Sequence, residues 1–413
     1  MPEEIRLKER LTGKAILCML KTSAQDHTIF RIKMDELKAL VNALGIEVID
    51  EVIQSKYHSS EATCIGKGKV KELRKKVEKH GVSIVVFYNL LKSSQKLALI
   101  QGVGCDVIDR YELTLEIFEQ MASDNLSKLQ IESAKLEKLT PFYKLSANAN
   151  FANDRPFFHS GGEYGFRAQI RELTRRKASI RKEIEELVIE KKKQIASRKK
   201  LGFPTICIAG YHNAGKTSLF NTLTGDHKPV SARPFTTLSS KYQKRYINPE
   251  TSVLFIDTIG FVIDLDHRLI KSFQINFEDI RNAEVVILLF DISDQATLLK
   301  LKLNEGLSLL QDIGVNLRRV ILVFNQIDKA PNSVNTIKEE LSLGMFDIPW
   351  TTVSAKKHTN INELLNLIAI KVKELKETPI NEEPIYEPKQ TNPEESEESI
   401  EETAGDSKEE LES

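Results

Sequence analysis

Between residues 14 and 110, short apolar runs alternate with stretches of helical periodicity. Ala15-Ile16-Leu17-Cys18-Met19-Leu20 and Val82-Ser83-Ile84-Val85-Val86-Phe87 read as strands, and Ile46-Glu47-Val48-Ile49 as a shorter one. Met34 to Leu44 and Lys69 to His80 have the period of helices. The alternation predicts an N-terminal α/β domain over residues 1–111. The pattern then changes. Leu115, Phe118, Ala122, Leu126, Leu129 and Leu136 form one apolar stripe along a long helix, and Ile170, Leu173, Ile180, Ile184 and Leu187 form a second. Matching stripes predict a long antiparallel helical hairpin over residues 112–200. Thr140 to Tyr164, rich in Asn, Phe, Gly and Pro, predicts a loop at its tip, about residues 140–164. Residues 201–376 form a third unit. Residues 377–413 hold almost no apolar side chains and predict a disordered acidic tail.

The 413 residues suit two or three domains. With 41% hydrophobic and 29% charged residues the mix is globular, which excludes collagen, a disulfide scaffold and a fully disordered chain. The formal net charge is zero, yet residues 377–413 carry 14 acidic residues against two lysines, so the rest of the chain carries +12. Phe166 to Lys200 alone holds 13 Lys or Arg against five Glu. Such a run is either a solvated helix face or a contact with nucleic-acid phosphates. Arg171, Arg175, Arg176, Arg181 and Lys182 are the candidate RNA contacts. Phe151, Phe157 and Phe158 either stack on unpaired bases or pack the tip loop onto the helix ends. The four cysteines have no C-x-x-C spacing and read as reduced thiols. The N-terminus lacks an apolar signal segment, and the longest apolar run, Val285 to Phe290, is too short for a bilayer. A cytoplasmic monomer with no membrane partner is expected.

The chemistry-bearing signature follows the buried strand Thr205-Ile206-Cys207-Ile208-Ala209. Gly210-Tyr211-His212-Asn213-Ala214-Gly215-Lys216-Thr217 comes at once, and Ser218 to Leu223 reads as a helix. This is G-x-x-x-x-G-K-T in its strand–loop–helix context. The glycines let backbone N–H groups turn toward phosphates, and the helix N-terminus adds positive charge. Lys216 reaches the β- and γ-phosphates, and Thr217 ligates Mg²⁺. Val253 to Gly260 is a strand ending in D-x-x-G, Asp257-Thr258-Ile259-Gly260. Asp257 holds the Mg²⁺ shell through water, and the Gly260 N–H senses the γ-phosphate. Val320 to Phe324 ends in Asn325-Gln326-Ile327-Asp328, against the usual guanine signature N-K-x-D. The Asp328 carboxylate accepts from the guanine N1–H and N2 amine, which adenine cannot supply. Val353-Ser354-Ala355-Lys356 closes the set, with the Ala355 N–H facing the guanine O6. These four segments in order predict a doubly wound sheet binding GTP or GDP with Mg²⁺ at its carboxyl edge. Thr237 is the candidate to close over Mg²⁺ and the γ-phosphate, with Thr236 as the alternative.

Two departures matter. Phe261 follows Gly260, and an apolar side chain cannot position the attacking water, so unaided hydrolysis should be slow. The missing group must come from a partner, the backbone or a cation. Asn213 either helps hold K⁺ there or bonds its own loop backbone. The candidate catalytic set is Asn213, Lys216, Thr237 and Gly260. The second departure is Gln326 for Lys, shorter and uncharged; affinity should fall while Asp328 keeps guanine preferred.

The stretch from Asp257 through Gly260-Phe261-Val262-Ile263-Asp264-Leu265-Asp266-His267-Arg268-Leu269-Ile270-Lys271-Ser272-Phe273 resembles the D-T-V-G-F-I-x-D-L-P-H-x-L-I-x-A-F segment of HflX-type GTPases. Gly210 to Lys216 is similar to that family's G-Y-T-N-A-G-K. Ile65-Gly66-Lys67-Gly68-Lys69-Val70, Asp109-Arg110 with Ile117-Phe118, Lys128-Leu129-Gln130-Ile131-Glu132, Gly161-Gly162-Glu163 and Arg175-Arg176 resemble further family motifs. The resemblance covers about residues 10 to 376. Asp266 stands where Pro is usual, and the Glu-rich tail has no counterpart. The resemblance implies an N-terminal α/β domain, a helical hairpin and a GTPase domain. It also implies binding to the large ribosomal subunit and its rRNA, the hairpin tip pointing toward the peptidyl-transferase region, with some members splitting ribosomes under stress. Two rival readings stand beside it. A GTPase of tRNA modification shares the loop Asn but ends in a catalytic cysteine, and no Cys follows Cys207 here. A GTP-dependent interaction switch with slow turnover fits Phe261. What the tail binds is open.

Overall fold

The structure, a computed structural model, describes residues 13–153, 162–200, 202–225, 241–247, 251–330, 333–345 and 347–378. The N-terminal runs alternate as β1 (Lys14–Lys21), α1 (Ala24–Ala43), β2 (Glu47–Ser55), α2 (Lys67–His80), β3 (Ile84–Phe87), α3 (Ser93–Val103) and β4 (Asp106–Asp109). All strand pairs are parallel, in the order β2-β1-β3-β4. A parallel sheet is covered on both faces, which is why β1 and β3 are near-continuous apolar runs rather than alternating ones. Ser23 and Asp26 close a capping box at the start of α1 and so fix where it leaves the sheet edge.

The expected single helix over Leu115 to Leu136 is instead two, α4 (Arg110–Met121) and α5 (Asn125–Asn153). The stripe is real, but Ala122 is extended at φ −68, ψ 113. The Asp124 carboxylate then accepts the Ser127 N–H at 2.9 Å and starts a new helix. Apolar spacing alone could not reveal this break. The tip loop expected over 140–164 is also corrected: α5 continues through Pro141 to Asn153, and α6 (Gly162–Lys200) already begins at Gly162. Tertiary contacts of Lys138 and one bond within the helix lie just before the proline. Lys138 Nζ reaches Leu91 O at 2.7 Å and Asp109 Oδ2 at 2.6 Å, and the Thr140 hydroxyl donates to Leu136 O. Phe151 falls within α5; Phe157 and Phe158 lie outside the described residues. So do Thr236, Thr237 and the tail beyond residue 378.

The third unit comprises β5 (Thr205–Gly210), α7 (Lys216–Thr224), β6 (Lys241–Tyr246), β7 (Ser252–Asp257), α8 (His267–Ser272), α9 (Gln274–Arg281), β8 (Val285–Asp291), α10 (Ala296–Ile313), β9 (Val320–Asn325), α11 (Ser333–Glu340), β10 (Trp350–Thr352) and α12 (Ile361–Glu377). Its sheet runs β10-β9-β8-β5-β7-β6, parallel except for the antiparallel edge strand β6. The expected mixed α/β architecture with a doubly wound sheet is therefore present. Strand order reverses between β5 and β8, and a ligand crevice opens at the carboxyl edge of such a switch point. Register places Gly210 beside Leu289 and Asp291 beside Asn325 along that edge.

The units share packing. Phe118 of α4 meets Phe273 edge to face at 4.9 Å, and both are buried. Lys191 of α6 reaches Asp279 of α9 at 3.2 Å. These contacts fix the hairpin base and the N-terminal sheet against the nucleotide-type fold.

Candidate functional site

At the carboxyl edge lies a cleft of about 910 Å³, lined by His212, Lys216, Thr217, Gly260, Asn325, Gln326, Asp328 and Lys356 among others. Its floor is the loop between β5 and α7. Gly215 stands at φ 89, and a Cβ there would meet Asn325 Nδ2 at 2.4 Å, so both the dihedral and the space require glycine. Lys216 opens α7 and its Nζ donates to Tyr211 O at 2.8 Å. Burial pulls its ammonium down to about 8, against the opposing pull of Asp257. A Cβ on Gly260 would meet Lys216 Nζ at 2.8 Å, so the D-x-x-G glycine and the lysine ammonium lie side by side.

Thr217 Oγ1 donates to Asp257 Oδ2 at 3.1 Å, both residues buried. A hydroxyl beside a carboxylate, open to a cleft on one side, is the oxygen set Mg²⁺ takes along with waters and phosphate oxygens. The residues present fit that ion. Thr258 is turned away: its hydroxyl donates to Ile208 O at 2.9 Å. Ile259 is buried in the core. Tyr211 and Ala214 are buried too, so they shape the loop through backbone and packing. Ser218, the third residue of α7, lines the cleft. Phe261 is fully buried and packs edge to face on Tyr211 at 6.0 Å. Its N–H donates to Gly210 O at 2.9 Å, and His212 N–H donates to Phe261 O at 3.0 Å, tying the D-x-x-G segment to the phosphate loop.

At the other end Ser354 Oγ donates to Asp328 Oδ1 at 2.6 Å. That bond holds the Asp328 carboxyl below its ordinary range and fixes its orientation. Asn325 does not offer its amide to a base. Its Nδ2 donates to Ala214 O at 2.9 Å and its Oδ1 accepts from Ala355 N–H at 3.0 Å. The Ala355 N–H, expected to face the guanine O6, is thus committed to Asn325. The reason is burial: an amide only 2% exposed must find partners for both ends, and these two backbone groups are within reach. Lys356 is exposed at the cleft rim.

Gln326 reaches two groups at once. At φ 69 its Nε2 donates both to Asn213 O at 2.9 Å and to Asp291 Oδ2 at 2.7 Å. The shorter side chain therefore still bridges the base end to the phosphate loop. Asn213 stands at φ 62, exposed, and its side chain has no hydrogen-bond partner among the described residues.

Of the five candidate RNA contacts, Arg176 is spoken for. It makes a bidentate pair with Glu132 of α5 at 2.7 and 2.8 Å, which staples the hairpin. Arg171, Arg175, Arg181 and Lys182 are exposed on α6.

One contribution had no signal in the sequence. Helix α1 of the N-terminal unit brings Ile32, Asp35, Glu36 and Ala39 to the cleft wall. No motif marks them; only the packing of two units does.

Residues 31–119 match the family model described as GTP-binding GTPase N-terminal, and residues 205–326 match the one described as 50S ribosome-binding GTPase. A protein named GTPase HflX from Thermofilum pendens is 36% identical over 359 residues, 87% of this chain and 81% of that protein. A second GTPase HflX, from Hyperthermus butylicus, is 33% identical over 304 residues, 73% of this chain and 80% of its own. Among solved structures, a GTP-binding protein from the hyperthermophilic archaeon Sulfolobus solfataricus in complex with GDP is 24% identical. It has a TM-score of 0.44 and covers 88% of this chain and 99% of its own.

Proposed function

The chain belongs to the GTPase HflX family, and from that premise we propose that it binds and hydrolyses GTP in association with the large ribosomal subunit. The observation that carries the catalytic half is the convergence of Lys216, Gly260 and the Thr217–Asp257 pair on one end of the cleft, with Asp328 at the other. Such a span suits a nucleotide with its base read by a carboxylate and its phosphates met by a lysine and a helix N-terminus. Mg²⁺ held by Thr217 directly and Asp257 through water would neutralise charge on the β- and γ-phosphate oxygens. Lys216 adds its ammonium on the same side, and the Gly260 N–H faces the γ-phosphate. Thr237 is proposed to close over both. Asp328 selects guanine, oriented by Ser354, while Asn325 and Gln326 hold the base loop and phosphate loop together.

The exposed Asn213 side chain at the phosphate end supports a monovalent-ion role. Replacing K⁺ by Na⁺ is expected to lower turnover by roughly tenfold or more, a cation being one source of the charge Phe261 cannot supply. Equal single-turnover rates in the two salts would remove Asn213 from the catalytic set.

Ribosome association is supported by the family relationship and by the exposed basic face of α6. The test is co-sedimentation of the full chain with large subunits across a salt series, comparing GDP with a non-hydrolysable GTP analogue. Changing Arg171, Arg175, Arg181 and Lys182 to Ala is expected to weaken binding and flatten its salt slope, by roughly 0.7–0.9 for each phosphate no longer neutralised. Arg176 is left in place because its removal would loosen the hairpin. An unchanged slope would make the charge a solvated face. Nothing in the relatives above supports the tRNA-modification reading.

A further inference from the structure

We infer that Asp291, the last residue of β8, is the positioning residue that sets how tightly the cleft holds a guanine nucleotide, because it locks the base-reading loop to the phosphate loop through Gln326. The inference rests on the GTPase reading above and deepens it. Sheet order dictates where such a lock can sit. β8 lies between β5, which runs into the phosphate loop, and β9, which runs into Gln326 to Asp328. Register puts Asp291 opposite Asn325, and the Ile292 N–H donates to Asn325 O at 2.9 Å. The carboxyl end of β8 therefore stands between the two loops, and Asp291 lines the cleft there.

The two carboxylate oxygens of Asp291 do different things. Oδ1 accepts the Ser293 N–H at 2.9 Å and the Ser293 hydroxyl at 2.6 Å, closing the turn after β8. That turn needs one oxygen, and an asparagine would supply it. Oδ2 accepts from Gln326 Nε2 at 2.7 Å. The same nitrogen gives its second N–H to Asn213 O at 2.9 Å, so both donors of the amide are spent and three segments of the site meet on it. Lys329 Nζ stands 4.0 Å from Oδ2, but its side chain is 57% exposed, a setting in which an ion pair adds little. The second oxygen of Asp291 is thus given to the lock.

The backbone on either side agrees. Gln326 stands at φ 69 and Asn213 at φ 62, both in the left-handed region without being glycine. Such residues persist where their surroundings hold them, and here one amide joins the two. Asn325 works beside it, its Nδ2 donating to Ala214 O at 2.9 Å. Two consecutive carbonyls of the phosphate loop are thus held by two consecutive side chains of the base loop. Pinning a carbonyl also fixes the N–H on the far side of the same peptide plane, and such N–H groups are what a phosphate loop offers its ligand. The Asn325 bond is buried and self-contained. The Gln326 bond lies nearer solvent, and the Asp291 carboxylate is what keeps its amide aimed.

The experiment uses the full chain and follows release of a fluorescent GDP and of a fluorescent non-hydrolysable GTP analogue, beside single-turnover hydrolysis and a thermal melt. In Asp291→Asn the oxygen stays with the two Ser293 bonds, and an amide N–H is set against Gln326 Nε2. Losing a hydrogen bond to a charged acceptor is expected to speed release of both nucleotides roughly tenfold or more. Hydrolysis of bound GTP should fall less than about threefold, with GTP still preferred over ATP, since Ser354 continues to fix Asp328. Gln326→Ala should accelerate release as much, and Asp291→Asn should add less than about twofold to it, because both act through one bond. Release from a folded Asp291→Asn protein within about twofold of the unmodified chain, or accelerations that multiply in the double variant, overturns the inference. If Asp291→Asn fails to fold, Gln326→Lys decides it. Its ammonium can meet the same two oxygens, so release should be no faster than from the unmodified chain and should quicken more steeply with salt, as a charge pair with Asp291 requires. Release as fast as from Gln326→Ala overturns the inference. Failure of the unmodified chain to bind guanine nucleotide would instead sink the GTPase reading on which the inference stands.

Discussion

Lys216→Ala lowers GTP turnover by roughly 10²- to 10³-fold, the scale of losing one preorganised charge at the reacting phosphate. The fold should survive. Lys216 lies at the first turn of α7, outside the β5 strand, and its Nζ makes one bond, to Tyr211 O. The ammonium is costly where it is: burial already lowers it to about 8. Removing a desolvated charge relieves that cost before any nucleotide binds. The melting temperature of the variant is therefore expected to equal or exceed that of the unmodified chain, while turnover collapses. Single-turnover hydrolysis beside a thermal melt checks both. A folded Lys216→Ala protein with ordinary turnover would falsify the phosphate-loop assignment.

The same residues show what a sequence can disclose. Gly215 was legible because its left-handed dihedral and the close approach of Asn325 exclude a Cβ, and nothing but glycine meets that demand. β5, β8 and β9 were legible because strands covered on both faces must be apolar throughout. Constraints of this kind are local, and a local string records them. Glu36 was not legible because its meaning lies in Ile263, 227 residues away in sequence. Within its own helix it is one more polar residue near an apolar stripe. The break at Ala122 was hidden for a related reason: the stripe continues across it, since both helices face the same core, and period alone cannot see a cap. Pro141 misled in the opposite direction. A proline ahead of a stretch of asparagines and aromatics reads as a stop, yet α5 runs through it to Asn153. Gln326 shows the limit of motif comparison. The missing lysine predicts a weaker site; the left-handed backbone at φ 69 places the shorter amide on both Asn213 O and Asp291. What the motif preserves here is a bridge rather than a residue type.

Asp328→Asn should convert a guanine site into one for xanthine. Ser354 is fully buried, and its hydroxyl fixes Asp328 Oδ1 while accepting the Lys357 N–H at 3.0 Å. An asparagine can keep that anchor, because its own carbonyl accepts the serine hydroxyl as the carboxylate did. The loop is thus expected to hold its shape, and the change is confined to the atom facing the cleft. There the carboxylate oxygen accepts from the guanine N1–H and N2 amine; an amide N–H set against those donors both loses the bonds and repels. Hydrogen bonds to a charged group contribute about 1.5–3 kcal/mol each, so GTP affinity should fall roughly 10²- to 10⁴-fold. Xanthine carries a carbonyl where guanine has its amine, and that oxygen can accept the new N–H. XTP should therefore bind the variant better than GTP does, reversing the order expected of the unmodified chain. Competition of GTP, XTP and ATP against a fluorescent guanine nucleotide measures it directly. Unchanged GTP affinity in a folded Asp328→Asn protein would mean the base is read elsewhere, and Lys356 at the rim would be the next residue to change.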